Sequence, residues 1–364
     1  MTAPALARRS DYVVLRHTRQ TRISSLVIGV VALLLVSIPT WESANTIQQL
    51  TTFLILAILA LMWNALAGYG GMVSVGQQGF IGLGAYGTIY FTQHGVSPYL
   101  AMVLAAIAAG VIGVPVSLLV LRLRGGQFAV GTWVVAEAFG LLVILDKSVG
   151  GGTGTSLRGL NRYGPLGREK DTYWLTLFFF LLLCGLVFAL LRSRHGVALQ
   201  AIRDDEIAAA AVGVRVQASK RVLFVLAAFG CGAAGALILA NSLFVQPQSI
   251  FGVQYSAYMI FMVLVGGLGT FEGPLIGAII FFAIQHRYSN SGAWYLIGLG
   301  ATAVVFALFL PKGIWGTVQD KFRTQLLPIG HSLRRQATTA PTGQATTVPT
   351  GHPTLPTESG DDGD

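Results

Sequence analysis

The sequence predicts an all-α integral membrane protein of about ten transmembrane helices, arranged as two inverted halves of five. Of its 364 residues, 53% are hydrophobic and only 11% charged, where soluble domains carry about a quarter charged. The charged residues crowd into a few stretches between apolar runs that approach the ~20 residues needed to cross hydrocarbon. Two glycine-rich interruptions also fall at comparable places in the two halves, a pattern associated with a central transport pathway.

The elements follow in order. Residues 1–23 form a basic leader containing Arg8, Arg9, Arg16, Arg19 and Arg22. Spans are predicted near 24–40, 47–67, 72–93, 98–121 and 127–145, then near 173–191, 219–240, 256–269, 273–287 and 293–310. The leader is long and no small-residue cleavage site follows the first apolar run, so that run reads as a retained span instead of a signal peptide. The transmembrane domain therefore covers 24–310, with one internal polar loop over 192–218. Residues 311–364 form the C-terminal segment. From about 336 it is rich in Thr, Pro and Gly and ends in Glu358, Asp361, Asp362 and Asp364, so it cannot build a core and is expected to be disordered.

Charge orients the bundle. With both termini in the cytoplasm, 18 of the 24 Lys and Arg lie inside and six outside, namely Lys147, Arg158, Arg162, Arg168, Lys170 and Arg287. The positive-inside rule favours this arrangement in a cell membrane. The net charge of +9 does not indicate nucleic acid, because the basic residues flank hydrophobic segments and form no continuous stripe. Cys184 and Cys231 lie within apolar runs, far from any second cysteine, so neither a metal site nor a redox role is expected.

The two interruptions are GYGGMVSVGQQGFIGLGAYG, from Gly68 to Gly87, and VGGLGTFEGPLIGA, from Val265 to Ala278. Glycines this dense, and the adjacent Gln77 and Gln78, argue against continuous lipid-facing helices. Unpaired backbone at membrane depth must be buried in protein or line a cavity, which makes Gln77, Gln78, Gly267 and Gly269 candidates for a translocation path. Close helix packing at Gly269, Gly273 and Gly277 is the competing use of the same residues. The match of Gly82, Gly84 and Gly87 to GxGxxG is accidental, for want of a preceding strand and a following acidic residue. Glu137 falls near the middle of the fifth span and is a further candidate for the translocation path, where a carboxylate either serves function or locks helices together through hydrogen bonds. Asp146 and Lys147 are adjacent at the end of that span and read as an interfacial pair. Glu272, in the second interruption, lies close enough to the surface to be solvated, and the segment from Ser148 to Thr172 is a solvated connector or a contact for an external protein.

The loop between the sixth and seventh spans reads LRSRHGVALQAIRDDEIAAAAVGVRVQASKR. Asp204, Asp205 and Glu206 open an alanine-rich run, as carboxylates do at a helix N-terminus, and Gly213 stands where a C-terminal cap belongs. A short surface helix is predicted, with an uncharged alanine face suited to another protein's groove, and Arg203 and Glu206 placed for pairs at its rim.

GYGGMVSVGQQGFIGLGAY, LRLRGGQFAVGTWVVAEAF, HGVALQAIRDDEIAAAAVGV, VLVGGLGTFEGPLIGA and LFLPKGIWG occur in one order over about residues 50–316. Together they resemble the M-type permease subunit of branched-chain amino-acid ABC importers. The resemblance implies a transport subunit rather than an enzyme, paired with a homologous second permease, two cytoplasmic ATPase subunits and an extracytoplasmic solute-binding protein. It implies that 196–213 is a coupling helix in which Gly196, Arg203, Asp204, Glu206 and Gly213 match the ATPase-interface motif. No cofactor is implied for this chain, ATP and magnesium belonging to the partner ATPase. The family's usual SLGH is replaced by Ser74, Val75, Gly76 and Gln77, and the glycine-rich outer loop also departs from the family pattern. Permeases of this type also serve urea and amide importers.

An ion-coupled secondary transporter with Glu137 as proton carrier is the second reading. The chain contains no GxxxxGK[ST], in keeping with an engine on a separate polypeptide. An intramembrane enzyme is the third, but HExxH and GxSxG are absent and His17, His94, His195, His286, His331 and His352 are scattered.

Overall fold

The computed structural model describes residues 12–15, 29, 33–157, 159–160, 164–288, 293–310, 312–322 and 332–335. After β1 (Tyr12–Leu15) and a helical stretch over 33–40, α1 (Ala44–Asn64) starts on Ser43, whose hydroxyl accepts from Thr46 N at 3.4 Å. It continues through one π-helical turn at Ala65–Tyr69. Helical geometry then stops for residues 71–76 and resumes as α2 (Gln77–Gln93). The expected span at 72–93 is therefore a helix only from Gln77 onward.

α3 (Pro98–Val120) and α4 (Gly126–Leu145) match their predicted spans closely. α5 (Pro165–Arg192) begins well before the expected 173, because Arg168–Asp171 occupy its first turns and hide them from a hydropathy reading. The polar loop folds as two helices, α6 (Arg194–Asp204) and α7 (Glu206–Ala211), and leads into α8 (Val216–Ser242). Short α9 (Pro247–Ile250), α10 (Gln254–Gly266), α11 (Gly273–Tyr288), α12 (Ala293–Phe309) and α13 (Gly313–Phe322) complete the bundle.

Seven helical runs among the described residues are long and apolar enough to cross a membrane. α2, with 17 residues, and α11, with 16, are the shorter helices that follow the two glycine-rich interruptions. Of the first expected span, 24–40, residues 24–28 and 30–32 lie outside the described residues, while 33–40 are helical. The fold is thus an all-helical membrane bundle.

α1 and α8 form its axis. In their apolar windows 83% and 72% of residues are buried, against 28% in α4. α8 packs on α1, α2 and α3, and α1 also packs on α5, α10 and α11. Small residues permit this: Gly84 meets the Gly232 backbone, and Gly235 meets that of Ile81. Close backbone approach supplies the dispersion contacts that hold helices together in lipid, where apolar burial gives little net drive. Gly273 and Gly277 likewise press on the backbone at Gly267 and Met262, so packing explains those two glycines. Buried hydroxyls close on their own helices, as Thr51 Oγ1 does to Ile47 O at 2.8 Å and Thr176 Oγ1 to Thr172 O at 2.7 Å.

The segment between α4 and α5 is partly packed in its described part, with Val149 and Gly151 buried and Asp146, Lys147, Ser148 and Ser156 exposed. Asp146 caps a 3-10 turn, accepting from Ser148 N at 2.9 Å and Ser148 Oγ at 2.7 Å. These bonds stabilise its ionised form and hold its pKa below the ordinary aspartate value, so its carboxylate serves Ser148 where a pair with Lys147 was expected. β2 (Thr155–Ser156) then pairs antiparallel with β3 (Phe244–Val245), just after α8. Leu157 and Leu160 are buried.

The chain ends form a unit of their own, described at residues 12–15 and 332–335. Within it β1 pairs antiparallel with β4 (Ser332–Arg335), Tyr12 opposite Arg335 and Leu15 opposite Ser332. The tail expected to be disordered from about 336 lies outside the described residues.

Candidate functional site

Antiparallel packing brings the C-terminal ends of α1 and α10, the N-terminal ends of α8 and α11, and the α6–α7 segment to one end of the bundle. At their meeting point stands Asn64, the last residue of α1 and wholly buried. A buried amide needs partners on both sides. Asn64 Nδ2 donates to Thr270 O at 2.8 Å, and Gly269 N donates to Asn64 Oδ1 at 2.9 Å. One side chain thereby satisfies a donor and an acceptor of the unwound segment between α10 and α11. Gly68 lies against it so closely that a Cβ would stand 2.6 Å from Gly269 N, and Gly269 itself has φ 77°. Both interruptions therefore touch at a contact that requires glycine.

Arg203, near the end of α6, reaches the same point. Its Nη1 donates to Gly68 O at 2.7 Å, satisfying a carbonyl that the π-turn and the break leave without a regular helical partner. α6 is held for this by Ser193, whose hydroxyl accepts from His195 N at 3.2 Å, and by burying Gly196, Leu199 and Ile202. Arg203, expected to contact an ATPase, and Gly269, expected to line a path, thus meet here.

The first interruption is tied down by side chains from three helices. Trp63 Nε1 donates to Ser74 O at 2.8 Å and Val75 N donates to Thr132 Oγ1 at 3.3 Å. Ser256 Oγ lies 3.1 Å from Val75 O and also contacts Gln78 Oε1. Gln77 Nε2 donates to Ser74 Oγ at 3.3 Å. Both glutamines are completely buried, yet Gln77 Oε1 and Gln78 Nε2 have no partner among the described residues. Buried amide atoms left in this state mark a place where water or a polar ligand lowers the free energy. Beside the break, a cavity of about 350 Å³ is lined by Gly71, Met72, Arg124, Phe128, Glu206 and Lys220, among others.

The second interruption is closed by α13. Trp315 Nε1 donates to Glu272 Oε2 at 3.2 Å, so Glu272 is held by protein where solvation was expected to suffice. Gly313 packs directly on Gly267, whose φ is 135°.

The expected coupling helix is broken in two at Asp205, whose backbone is extended at φ −155°. Asp205 Oδ1 accepts from Ile207 N at 2.8 Å and Ala208 N at 3.0 Å, making it the N-cap of α7. Gly213, at φ 88°, ends α7 as expected, and Val214 N donates to Ala209 O at 3.1 Å. Glu206 does not stand free for a rim contact: it pairs with Lys220 Nζ of α8 at 2.7 Å. Arg203 stays partly exposed while its Nη1 reaches in to Gly68 O, and Asp204 lies beside it at 3.8 Å. What α7 exposes is Ile207, Ala208, Ala210, Ala211 and Val212.

Glu137 is not part of this junction. α4 meets the bundle through Phe128, Thr132, Ala136 and Gly140, and Glu137 lies on the outward side, accepting from Trp133 Nε1 at 2.9 Å. Asn64, Ser256, Thr132, Lys220 and Trp315 were not singled out from the sequence. Of these, Asn64 carried a signal, as the one amide inside the apolar run LILAILALMWNALAG.

Residues 45–311 match the family described as branched-chain amino acid transport system / permease component. The high-affinity branched-chain amino acid transport system permease protein LivM of Escherichia coli K12 is 27% identical over 314 residues, 78% of this chain and 73% of that protein. The LivM protein of Salmonella typhimurium is 26% identical over the same shares. The solved structure of PsaBC from Streptococcus pneumoniae in complex with Fab superposes on 83% of this chain and 100% of that one with TM-score 0.44 and 11% identity, too loosely to carry an argument. With most of its helical bundle matched from end to end, this chain belongs to the branched-chain amino acid transport system permease family.

Proposed function

We propose that the protein is the membrane subunit of an ATP-driven importer that moves branched-chain or related hydrophobic amino acids delivered by an extracytoplasmic binding protein. In this reading it crosses the membrane ten times, as two inverted five-helix halves with both termini in the cytoplasm, and pairs with a homologous permease and two ATPase subunits. ATP and magnesium are held by those ATPases. The LivM relatives support the substrate class, and the charge distribution supports the orientation.

The observation that carries the coupling role is the bond from Arg203 to Gly68 O beside the Asn64 junction. α7 presents an uncharged face to a groove on an ATPase, while α6 behind it is bonded to the point where both interrupted helices meet. A shift of α6–α7 driven by nucleotide is therefore delivered to the unwound segments at 71–76 and 267–272, beside which Gln77 and Gln78 supply polar groups to a path. The discrete states this requires are an ordinary alternating-access pair.

The test is ATP-dependent uptake by liposomes containing the purified complex and its binding protein. Uptake of leucine, isoleucine or valine that vanishes without ATP supports the reading. Uptake of urea or short amides in its place assigns the other substrate class, and uptake by this chain alone under a pH gradient refutes the ABC reading. Arg203→Ala is expected to leave ATP hydrolysis running while uptake falls at least tenfold, the effect of losing one charge-assisted hydrogen bond worth about 1.4 kcal/mol or more.

A further inference from the structure

Glu137 is the one Asp, Glu, Lys or Arg among the described residues that stands more than two turns from both ends of a long apolar helix. It lies eleven residues into α4, about 16 Å along the axis at 1.5 Å per residue, hence near mid-membrane. Its side of α4 is not covered by the rest of the described chain. Around it runs a stripe at helical spacing, with Val130 58%, Trp133 43%, Val134 60% and Leu141 60% exposed. The Trp133 indole is its sole polar partner among the described residues, and that group carries no charge. A carboxylate facing acyl chains at this depth is strongly disfavoured, so this face meets protein or water. The other outward faces, those of α3, α5 and α12, expose large apolar side chains at this depth and suit lipid.

We propose that Glu137 binds the ammonium group of the translocated amino acid on the outward side of α4, turned away from Gln77 and Gln78, which places this stretch of the path between the subunit and its paired permease. An uncompensated carboxylate set among valine, leucine and tryptophan side chains is complementary to a molecule with a cationic ammonium beside a branched aliphatic chain. The indole N–H fixes the position of the carboxylate without neutralising it, which leaves its charge available to a cation. Urea and simple amides carry no such cation and gain nothing from it. The inference rests on the importer reading above and adds to it a residue that favours amino acids.

Complexes containing wild-type, Glu137→Gln and Glu137→Asp subunits are purified through the sister permease, reconstituted with binding protein, and compared for ATP-driven leucine uptake. Glu137→Gln keeps the shape and loses the charge. Uptake is expected to fall about 10- to 100-fold, the cost of replacing a charge-assisted hydrogen bond, with Glu137→Asp restoring most of it and all three complexes recovered with the same subunits. Uptake by Glu137→Gln at the wild-type rate overturns the proposal. So does loss of the sister permease from that complex, which would make Glu137 an assembly contact. Failure of the wild-type complex to import any amino acid overturns the importer reading itself, and is distinguished by that control.

Discussion

Asn64 joins two chain segments more than 200 residues apart with one amide. Asn64→Ala leaves Gly269 N and Thr270 O buried without their partner, at about 1–3 kcal/mol for each orphaned group. The expected result is a lower unfolding temperature of the detergent-solubilised protein. Asn64→Asp keeps the acceptor for Gly269 N but loses the donor to Thr270 O, so it should also destabilise, and a transition temperature equal to wild type in both variants would remove the junction from the account. Much of this site was legible in residue type. Gln77, Gln78, Gly267 and Gly269 stand out as polar or glycine residues at membrane depth, and each lies in or beside a break. The direction of Glu137 was not legible, because α4 is apolar nearly all round and its sequence pattern does not say which side meets the bundle. Nor was the inward reach of Arg203, since its acceptor is a backbone carbonyl 135 residues away.

At the scale of elements, the 192–218 loop shows what local signals do and do not reveal. The acidic cluster, the alanines and Gly213 correctly mark a helix and its end, yet Asp205 leaves helical geometry to cap α7 and divides the expected single helix in two. An Asx cap and a helix-interior aspartate are competing uses of the same side chain, and composition does not separate them. α7 is anchored by Glu206 and Lys220, whose side chains are 28% and 15% exposed. Either Glu206→Lys or Lys220→Glu should loosen α7 and raise its protease sensitivity. The double reversal should restore it, with a coupling on the order of 1 kcal/mol in a double-mutant cycle; no recovery in the double variant would show that the pair does not hold α7. Gly213→Pro removes the N–H that bonds Ala210 O and forbids φ 88°, so it should unseat α7 while the spans still insert. Unchanged uptake in that variant would count against α7 as the docking element.

For the whole molecule, hydropathy foretold a helical membrane bundle and placed most helices within a few residues. It erred where charge enters a helix, as in the first turns of α5, and where glycine unwinds one, as at 71–76. Affinity purification in mild detergent is expected to bring down an ATPase and a sister permease together, and recovery of a lone chain that still binds and moves solute would refute a shared machine. The Asn64 junction also has a mechanical corollary. Two hinges pinned by a single bolt cannot swing independently: a displacement at 269–270 must drag 64–68 with it. Spin labels at Val73 and Leu268, both exposed, should therefore hold a nearly fixed separation through the ATPase cycle, while distances from either label to the far end of the bundle change.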